Sequence, residues 1–287
     1  MGEIMQVQKV ILYSINPGTV PILEQIINLL AKQKIDYFLE QSTAERFEQL
    51  KAPVVNMDHE TIDHDLVIVV GGDGSILKAS NIFAPMNVPV LGINRGRLGF
   101  LVTHDPNDEK GLIDILSGDH QQEYRMMLDI KTKKNHYHAL NECVITRRES
   151  GRLVEVDVFL NDRYLSSNSC DGLIVSTPTG STGHALSAGG AIINPQVEAL
   201  LILPMCPHKL TSRPIIVPHD SKITMKVSPE NRIDPVLGCD GLDLEILKDD
   251  DTVSIQKSDW RLQLIYHPSY DYYRNLRSKL NWEEYSY

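Results

Sequence analysis

The strongest local indication of chemistry is a glycine-rich turn, Gly71–Ser75, directly after the continuous apolar run Leu66–Val70. A strand, such a turn and a following helix direct backbone N–H groups at a phosphate, since glycine places no side chain in the way. Asp73 interrupts the glycines, and a carboxylate beside phosphates is unfavourable unless it takes a proton from a nucleophile or contacts a cation. The pattern therefore predicts a general base acting on a hydroxyl, with an inert turn N-capped by Asp73 as the alternative.

Three common nucleotide-binding motifs are absent from the sequence: the GxxxxGK[ST] loop, the HRD and DFG motifs of protein kinases, and the GxGxxG dinucleotide fingerprint. If the glycine turn serves phosphoryl transfer, the enzyme belongs to neither common class of kinases.

A second unusual segment spans residues 171–195 and reads DGLIVSTPTGSTGHALSAGGAIINP. Its hydroxyl-bearing and small residues can line a polar pocket or surround a nucleotide, and an inert loop of this length would be unusual. Asn141 and Glu142 begin a β-rich run and could hydrogen-bond adjacent ribose hydroxyls. On local sequence alone, a polar pair at a strand edge explains these two residues better.

The elements that must position these residues change character along the chain. Residues 1–121 alternate apolar strand patterns with helical patterns, which predicts βα units and a Rossmann-like parallel sheet. Residues 122–267 contain short alternating and β-branched runs, which predict a mainly antiparallel β-rich domain. The tail is helical again over Tyr270–Leu280, and we expect it to pack back on the first domain, which then comprises 1–121 and 268–287.

Composition narrows the choice of partners and compartment. A net charge of −10 argues against non-specific nucleic-acid binding. The four cysteines are scattered without a CxxC pair, and no apolar run approaches the length of a membrane span, so we expect a cytoplasmic protein without a membrane partner. His136 and His138 lie two apart on a strand, but with no third ligand evident they are interpreted as a solvated strand face and no protein metal site is expected.

Read in order, the motifs resemble the NAD kinase family over most of the chain. They are GGDGS at Gly71–Ser75, GINRGRLGFL at Gly92–Leu101, NE at Asn141-Glu142, DGLIVSTPTGSTGHALSAGG at Asp171–Gly190, SRPIIVP at Ser212–Pro218, CDG at Cys239–Gly241 and the terminal SYDYYRNLRSKLNW. Diacylglycerol kinases, sphingosine kinases and phosphofructokinases carry turns similar to GGDG, so the specificity of the resemblance comes from Asp171–Gly190 together with Asn141-Glu142.

The resemblance implies an α/β domain and a β-rich domain with NAD bound in the crevice between them. It implies transfer of the γ-phosphoryl group of ATP to the 2′-hydroxyl of the adenosine ribose of NAD, which gives NADP. ATP would be accompanied by a divalent metal ion, usually Mg²⁺. A homodimer or homotetramer is the expected assembly.

The resemblance also assigns residues. Asp73 matches the catalytic aspartate, and the phosphate-facing glycines are Gly71, Gly72 and Gly74. Asn141 and Glu142 match residues that hold the adenosine of NAD. The positions that match the lining of the dinucleotide site are Asp171, Thr179, Thr182, Gly183, His184, Ala185 and Ser187. Arg152 lies where some members place a basic contact.

The chain departs from the family pattern at a few positions. His184 stands where a tyrosine is most frequent, and its ring can still stack and hydrogen-bond. Leu242 stands where many members have glutamine, which puts that contact in doubt, and Ser75 conservatively replaces threonine or asparagine. Two other functions remain open: a lipid or sugar kinase with the same glycine turn, and a non-catalytic NAD(H)-binding sensor.

Overall fold

The computed structural model describes residues 7–55, 64–96, 99–148, 152–231 and 233–282. The chain divides into two compact units, Met1–Tyr124 with Leu262–Tyr287, and Arg125–Arg261. Arg97 and Leu98 of the GINRGRLGFL motif lie outside the described residues. The domain bounds predicted from the sequence remain a prediction.

The elements are named in chain order. The strands are β1 (Lys9–Tyr13), β2 (Asp36–Glu40), β3 (Val54–Val55), β4 (Leu66–Gly71), β5 (Val90–Asn94), β6 (Gln121–Lys131), β7 (His136–Ala139), β8 (Glu142–Thr146), β9 (Val154–Leu160), β10 (Arg163–Cys170), β11 (Gly172–Ser176), β12 (Ala199–Met205), β13 (Ile215–Pro218), β14 (Ile223–Val227), β15 (Val236–Cys239), β16 (Leu242–Ile246) and β17 (Thr252–Tyr266). The helices are α1 (Val20–Gln33), α2 (Gln41–Arg46), α3 (Asp73–Phe83), α4 (Glu109–Leu116), α5 (His184–Ser187) and α6 (Tyr272–Leu280).

The first unit contains a parallel sheet in the order β3-β2-β1-β4-β5, and Leu264 and Ile265 of β17 pair in parallel with β5. Every residue of β4 and β5 is buried, as expected for strands covered on both faces. Ligands of such sheets bind at the carboxyl ends of the strands where the order reverses, which here lies between β1 and β4. The predicted α/β architecture is confirmed.

Helix α6 packs within the same unit, as the sequence predicted. The Asp271 side chain caps it by accepting hydrogen bonds from the N–H groups of Tyr273 and Arg274. Asn275 donates to the carbonyl of Gly99 at 2.9 Å, and Leu276 is buried. This helix therefore fixes the loop that follows β5.

The second unit is β-rich, also as predicted. One antiparallel sheet has the order β13-β12-β11-β8-β15-β16. Strands β10, β9, β14 and the first part of β17 form an antiparallel series, and β6 pairs with β17 and β7. Apolar residues of both sets of strands alternate into one shared core, as in a β-sandwich.

Among the described residues, no helix is both long and apolar enough to span a bilayer.

Candidate active site

The glycine turn lies at the carboxyl end of β4, where the strand order reverses. A Cβ atom at Gly71 would collide with the side chain of Ser75, so only glycine fits there. Gly72 and Gly74 are exposed, and a Cβ atom at either position would meet nothing within 4 Å. The space in front of the α3 N-terminus is therefore open to an anion, which the N–H groups at a helix N-terminus favour.

Asp73 is the first residue of α3, and its carboxylate is held by the loop after β5. Its Oδ2 accepts from the N–H of Phe100 at 2.8 Å, and its Oδ1 accepts from Leu101 and Val102 at 3.0 Å each. The N-cap of α3 is Gly72, so the alternative that Asp73 caps the helix is wrong. The side chain instead points towards the loop after β5, where three consecutive amides fix its orientation.

The geometry leaves Asp73 one position for a further partner. Each carboxylate oxygen offers about two acceptor sites, so Oδ1 is saturated and Oδ2 retains one. A Cβ atom at Gly99 would collide with this carboxylate, so the glycine permits the close approach of the loop. Asp73 is only partly buried, and an incoming hydroxyl could donate to Oδ2.

A positively charged side chain, that of Arg95, lies at the same edge of the sheet. Arg95, just after β5, donates from Nη1 to Asn16 Oδ1 at 2.6 Å, and Asn16 follows β1. Both side chains therefore lie at carboxyl ends of strands that flank β4. Arg95 is exposed, so its charge is available to a phosphate at this edge.

The second unit contains a second carboxylate held by three consecutive amides. Asp240 accepts from Leu140 at 2.8 Å, from Asn141 at 2.8 Å and from Glu142 at 3.2 Å. It occupies the two-residue turn between β15 and β16 with Gly241, and both have positive φ, 49° and 78°. The turn thus clamps the backbone that carries the Asn141-Glu142 pair.

Glu142 and Asn141 each carry a buried side-chain oxygen without a hydrogen-bond partner, Oε2 and Oδ1. Glu142 is only 5% exposed. Burial and, secondarily, the nearby charge of Asp240 raise the pKa of Glu142 to about 8. At neutral pH its carboxyl group therefore keeps its proton and can both donate and accept a hydrogen bond, which suits a ligand hydroxyl.

The hydroxyl-rich segment wraps around this pair. The Thr177 N–H and the Ser176 hydroxyl both donate to the Asn141 carbonyl, at 2.8 and 3.3 Å. A Cβ atom at Gly180 would collide with the same carbonyl. A Cβ atom at Gly183 would lie 3.3 Å from Asn141 Nδ2 and 3.7 Å from Glu142 Oε2, so this glycine faces both side chains.

The comparisons with known proteins decide the family. Residues 11–120 match the ATP-NAD kinase N-terminal domain, and residues 140–267 match the ATP-NAD kinase C-terminal domain. The chain belongs to the NAD kinase family. Both the glycine turn and the Asn141-Glu142 pair lie inside the matched ranges, so the resemblance drawn from the motifs is confirmed.

Curated NAD kinases agree over nearly the whole chain. The NAD kinase of Legionella pneumophila (strain Paris) is 43% identical over 91% of this chain and 90% of its own. That of Coxiella burnetii (strain RSA 493 / Nine Mile phase I) is 39% identical over 93% and 90%. These similarities identify the chain as a phosphotransferase.

Solved structures of the NAD kinase family share the fold. A yeast NADH kinase complexed with NADH superposes with a TM-score of 0.88 at 25% identity, covering 98% of this chain and 89% of the other. An NAD kinase from Archaeoglobus fulgidus in complex with ATP gives a TM-score of 0.73 at 24% identity, covering 95% and 98%.

The NAD kinase resemblance named several residues in the hydroxyl-rich segment, and the structure separates them. Gly183 faces the Asn141-Glu142 pair, Thr182 beside it is half-buried, and His184 and Ser187 are exposed. Thr179 is buried, and its carbonyl accepts from the Thr182 hydroxyl at 3.1 Å.

Ala185 is placed differently from the prediction that it lines the dinucleotide site. Its methyl group is fully buried in an apolar cluster with Ile174, Ile193 and Leu201 on the sheet face beneath α5. Its side chain therefore anchors the short helix and does not offer a surface to a ligand.

Two further predicted residues lie at the edge of this region. Asp171 forms an ion pair with Arg147, with Nε–Oδ1 and Nη2–Oδ2 distances of 3.2 and 3.3 Å. Arg152 is exposed just before β9, and the preceding residues 149–151 lie outside the described part of the chain.

Asp240 and Arg95 were not predicted as site residues, although both lie in NAD kinase motifs, Cys239–Gly241 and Gly92–Leu101. The available signal for Asp240 was an acidic residue before glycine in a tight turn between two strands. For Arg95 it was a basic residue immediately after a buried parallel strand.

Proposed function

We propose that this member of the NAD kinase family transfers the γ-phosphoryl group of ATP to the 2′-hydroxyl of the adenosine ribose of NAD. Family membership supports the reaction, and the fixed Asp73 carboxylate with one open acceptor site supports its mechanism. The side chain stands beside an open glycine turn at the ligand-binding edge of a parallel sheet.

The donor phosphates are assigned to the glycine turn. Gly71, Gly72 and Gly74 form the approach to the N-terminus of α3, and Arg95 adds a positive charge at the same edge. The space at Gly72 and Gly74 is open, so these residues fit the phosphates of a metal–nucleotide complex; the divalent ion would arrive with the nucleotide, and no protein ligand is assigned to it. A divalent ion bound to the ATP phosphates would neutralise their developing charge.

The acceptor ribose is assigned to the Asn141-Glu142 pair. Their unpartnered oxygens are buried and therefore gain most from a hydroxyl partner, because an unsatisfied buried polar atom is costly. Thr182, Gly183, His184 and Ser187 extend this surface along the dinucleotide, with Asp171, Thr179 and Arg152 at its margins. Asp240 acts as a positioning residue through the backbone of residues 140–142.

In the chemical step, Asp73 Oδ2 accepts the proton of the 2′-hydroxyl. The ribose oxygen forms a bond to the γ-phosphorus while the bond from that phosphorus to the β–γ bridging oxygen breaks. ADP leaves, and the phosphate remains on the ribose. The amide hydrogen bonds keep Oδ2 directed at the hydroxyl throughout, which is the orienting contribution expected of a general base.

The test is NADP formation by the purified protein from NAD and ATP-Mg²⁺, with NADH and inorganic polyphosphate as alternative acceptor and donor. We expect stoichiometric NADP and ADP. Binding of NAD without turnover would support the sensor function. Phosphorylation of a lipid or sugar without NADP formation would support the other alternative.

We also propose a homo-oligomer. The edge strand β16 exposes Leu242, Leu244 and Ile246 on alternate positions, at 49, 37 and 42% of their surface. An apolar row on an exposed strand is the kind of surface that a second subunit covers. Light scattering should give a multiple of the chain mass, and Leu244→Glu should shift it towards the monomer. A monomeric wild-type protein would contradict this part of the proposal.

The state of the cysteines bears on the cellular compartment of the protein. All four cysteines are free, and Cys143, Cys170 and Cys239 are buried. Free buried thiols in this number suit a reducing compartment, and we propose the cytoplasm. Fractionation of the native cell with an antibody to the chain tests this.

A further inference from the structure

The hairpin of β6 and β7 brings together three side chains that commonly bind metal ions. His136 and His138 lie on one face of β7, and Asp129 of β6 pairs directly with His138 across the hairpin. One ligand atom from each residue lies within 4.8 Å of the other two. The sequence showed the two histidines but not the aspartate, because Asp129 reaches them only through strand pairing.

Neighbouring side chains orient the aspartate. Its Oδ1 is hydrogen-bonded to His136 Nε2. Its Oδ2 accepts from Gln256 Nε2 at 3.1 Å and pairs with Lys131 Nζ at 2.9 Å. The outer partners therefore hold one carboxylate oxygen and leave the other turned towards the histidines. Lys131 is about half exposed, at 53% of its side chain, so its ammonium group can move into solvent when a cation arrives.

A similar arrangement orients His138. Its Nδ1 lies 3.2 Å from Ser258 Oγ, and its ring stacks on Trp260 with centroids 3.8 Å apart. Nδ1 can therefore donate to the hydroxyl while Nε2 keeps its lone pair. Metal-binding histidines are typically held in this way, with the second ring nitrogen hydrogen-bonded to an outer group.

We propose that Asp129, His136 and His138 form a binding site for one divalent transition-metal ion of the Zn²⁺ class. Two imidazoles and a carboxylate suit Zn²⁺ and its neighbours, whereas Mg²⁺ selects oxygen ligands. Three protein ligands leave a fourth position for water.

The geometry needs only a small adjustment. Ligand atoms about 2.0 to 2.2 Å from a tetrahedral Zn²⁺ lie roughly 3.4 Å apart, so the present spacing must change slightly. His136 can supply this movement because half of its side chain is exposed. The ion would replace the hydrogen bond between His136 and Asp129 and cross-link the two strands of the hairpin.

The binding test uses the full chain with Cys206→Ser, because Cys206 is the exposed thiol and could bind zinc by itself. Chelator-treated protein is titrated with Zn²⁺ by calorimetry in excess Mg²⁺. Co²⁺ absorption then reports the ligand geometry. We expect one Zn²⁺ per chain, a tetrahedral Co²⁺ spectrum, and a melting temperature that rises with Zn²⁺.

Two variants and one control decide whether the hairpin is responsible. His136→Ala should weaken Zn²⁺ binding at least about tenfold and abolish the rise in melting temperature, since losing a ligand costs no less than losing an outer partner. Asp129→Asn should weaken Zn²⁺ binding in the same way, while its amide oxygen can still accept the hydrogen bond from Gln256. The control is His219→Ala, because His219 also lies near a carboxylate, that of Glu198 at 3.7 Å. It should bind Zn²⁺ like the parent.

The proposal is overturned if the parent binds no stoichiometric Zn²⁺ in the presence of Mg²⁺. It is equally overturned if His136→Ala and Asp129→Asn bind as tightly as the parent while melting at the parent's temperature in chelator. Neither outcome depends on kinase activity.

Discussion

Asp73 and Asp240 are two carboxylates with almost the same hydrogen bonds and different surroundings. Each accepts from three consecutive backbone amides, those of residues 100–102 and 140–142 respectively. Asp73 stands at a helix N-terminus between exposed glycines. Asp240 stands in a hairpin turn beside the buried carboxyl group of Glu142, and burial raises its own pKa while the amides oppose that rise.

Under the proposed mechanism, this difference in surroundings distinguishes the reacting carboxylate, Asp73, from the supporting one, Asp240. Both carboxylates are fixed by amides, so fixation alone does not identify a general base. The space at Gly72 and Gly74, on either side of Asp73 in the sequence, is open. At Asp240 the same hydrogen bonds instead hold the strand start that presents Asn141 and Glu142.

The largest expected effect is that of Asp73→Asn. Without the proton-accepting oxygen, kcat should fall about 10²- to 10⁴-fold, the usual contribution of a general base. Binding of NAD should be largely kept. The matched control is Asp65→Asn, because the Asp65 carboxylate also accepts backbone N–H groups, those of Gln8 and Lys9, but precedes β4. Equal kcat values for the two variants would contradict the assignment.

A pair of glycine substitutions sharpens the contrast between open and packed sites. Gly72→Ala meets no atom within 4 Å, so the fold should tolerate it, while the methyl group obstructs phosphate and lowers kcat/KM for ATP roughly 10- to 100-fold. Gly180→Ala collides with the Asn141 carbonyl and should cost about 1 to 3 kcal/mol of stability. Melting curves and ATP kinetics of both variants measure this. A loss of stability in Gly72→Ala with unchanged ATP kinetics would instead show that Gly72 is required for packing.

Asp240→Asn tests the supporting role. One amide of residues 140–142 loses its acceptor, so stability should fall by about 1 to 3 kcal/mol and KM for NAD should rise more than kcat falls. Removal of this charge should also lower the pKa of Glu142, so that the pH-dependent loss of stability begins at a lower pH. A loss confined to kcat, with an unchanged pH dependence of stability, would assign Asp240 to the chemistry.

The smallest effect concerns Glu142→Gln and the pH dependence of stability. Burial raises the folded-state pKa from its ordinary 4.5 to about 8, so the folded chain keeps a proton that the unfolded chain releases. The resulting stability is complete below pH 4.5 and is lost as pH rises towards 8. The glutamine variant should lack this decline and exceed wild type at pH 8 by roughly 1 kcal/mol or more. Parallel unfolding curves between pH 5 and 8 check it.

Much of the fold was predictable because its signals are local. The apolar run before Gly71 predicts a strand that is buried on both faces. The alternation in strands such as Val154–Leu160 predicts a strand that is buried on one face. The contacts that make the site are not local. The amides that hold Asp73 come from residues 27 to 29 positions later, and those at Asp240 from residues about 100 positions earlier.

Strand pairing and packing account for the remaining differences. Asp129 meets His138 only because β6 and β7 pair in one register. Ala185 lies within a motif of small polar residues, yet α5 turns its methyl group into the apolar cluster. Neither arrangement can be read from spacing along the chain, because each depends on which face another element covers.

The most direct test is a pre-steady-state measurement of the first turnover of NADP formation, at saturating NAD and ATP-Mg²⁺, with wild type, Asp73→Asn and Asp240→Asn. Saturation removes differences in binding, so only the chemical step remains. We predict that Asp240→Asn approaches the wild-type rate while Asp73→Asn stays at least about 100-fold slower. A wild-type rate for Asp73→Asn would contradict its role as the base.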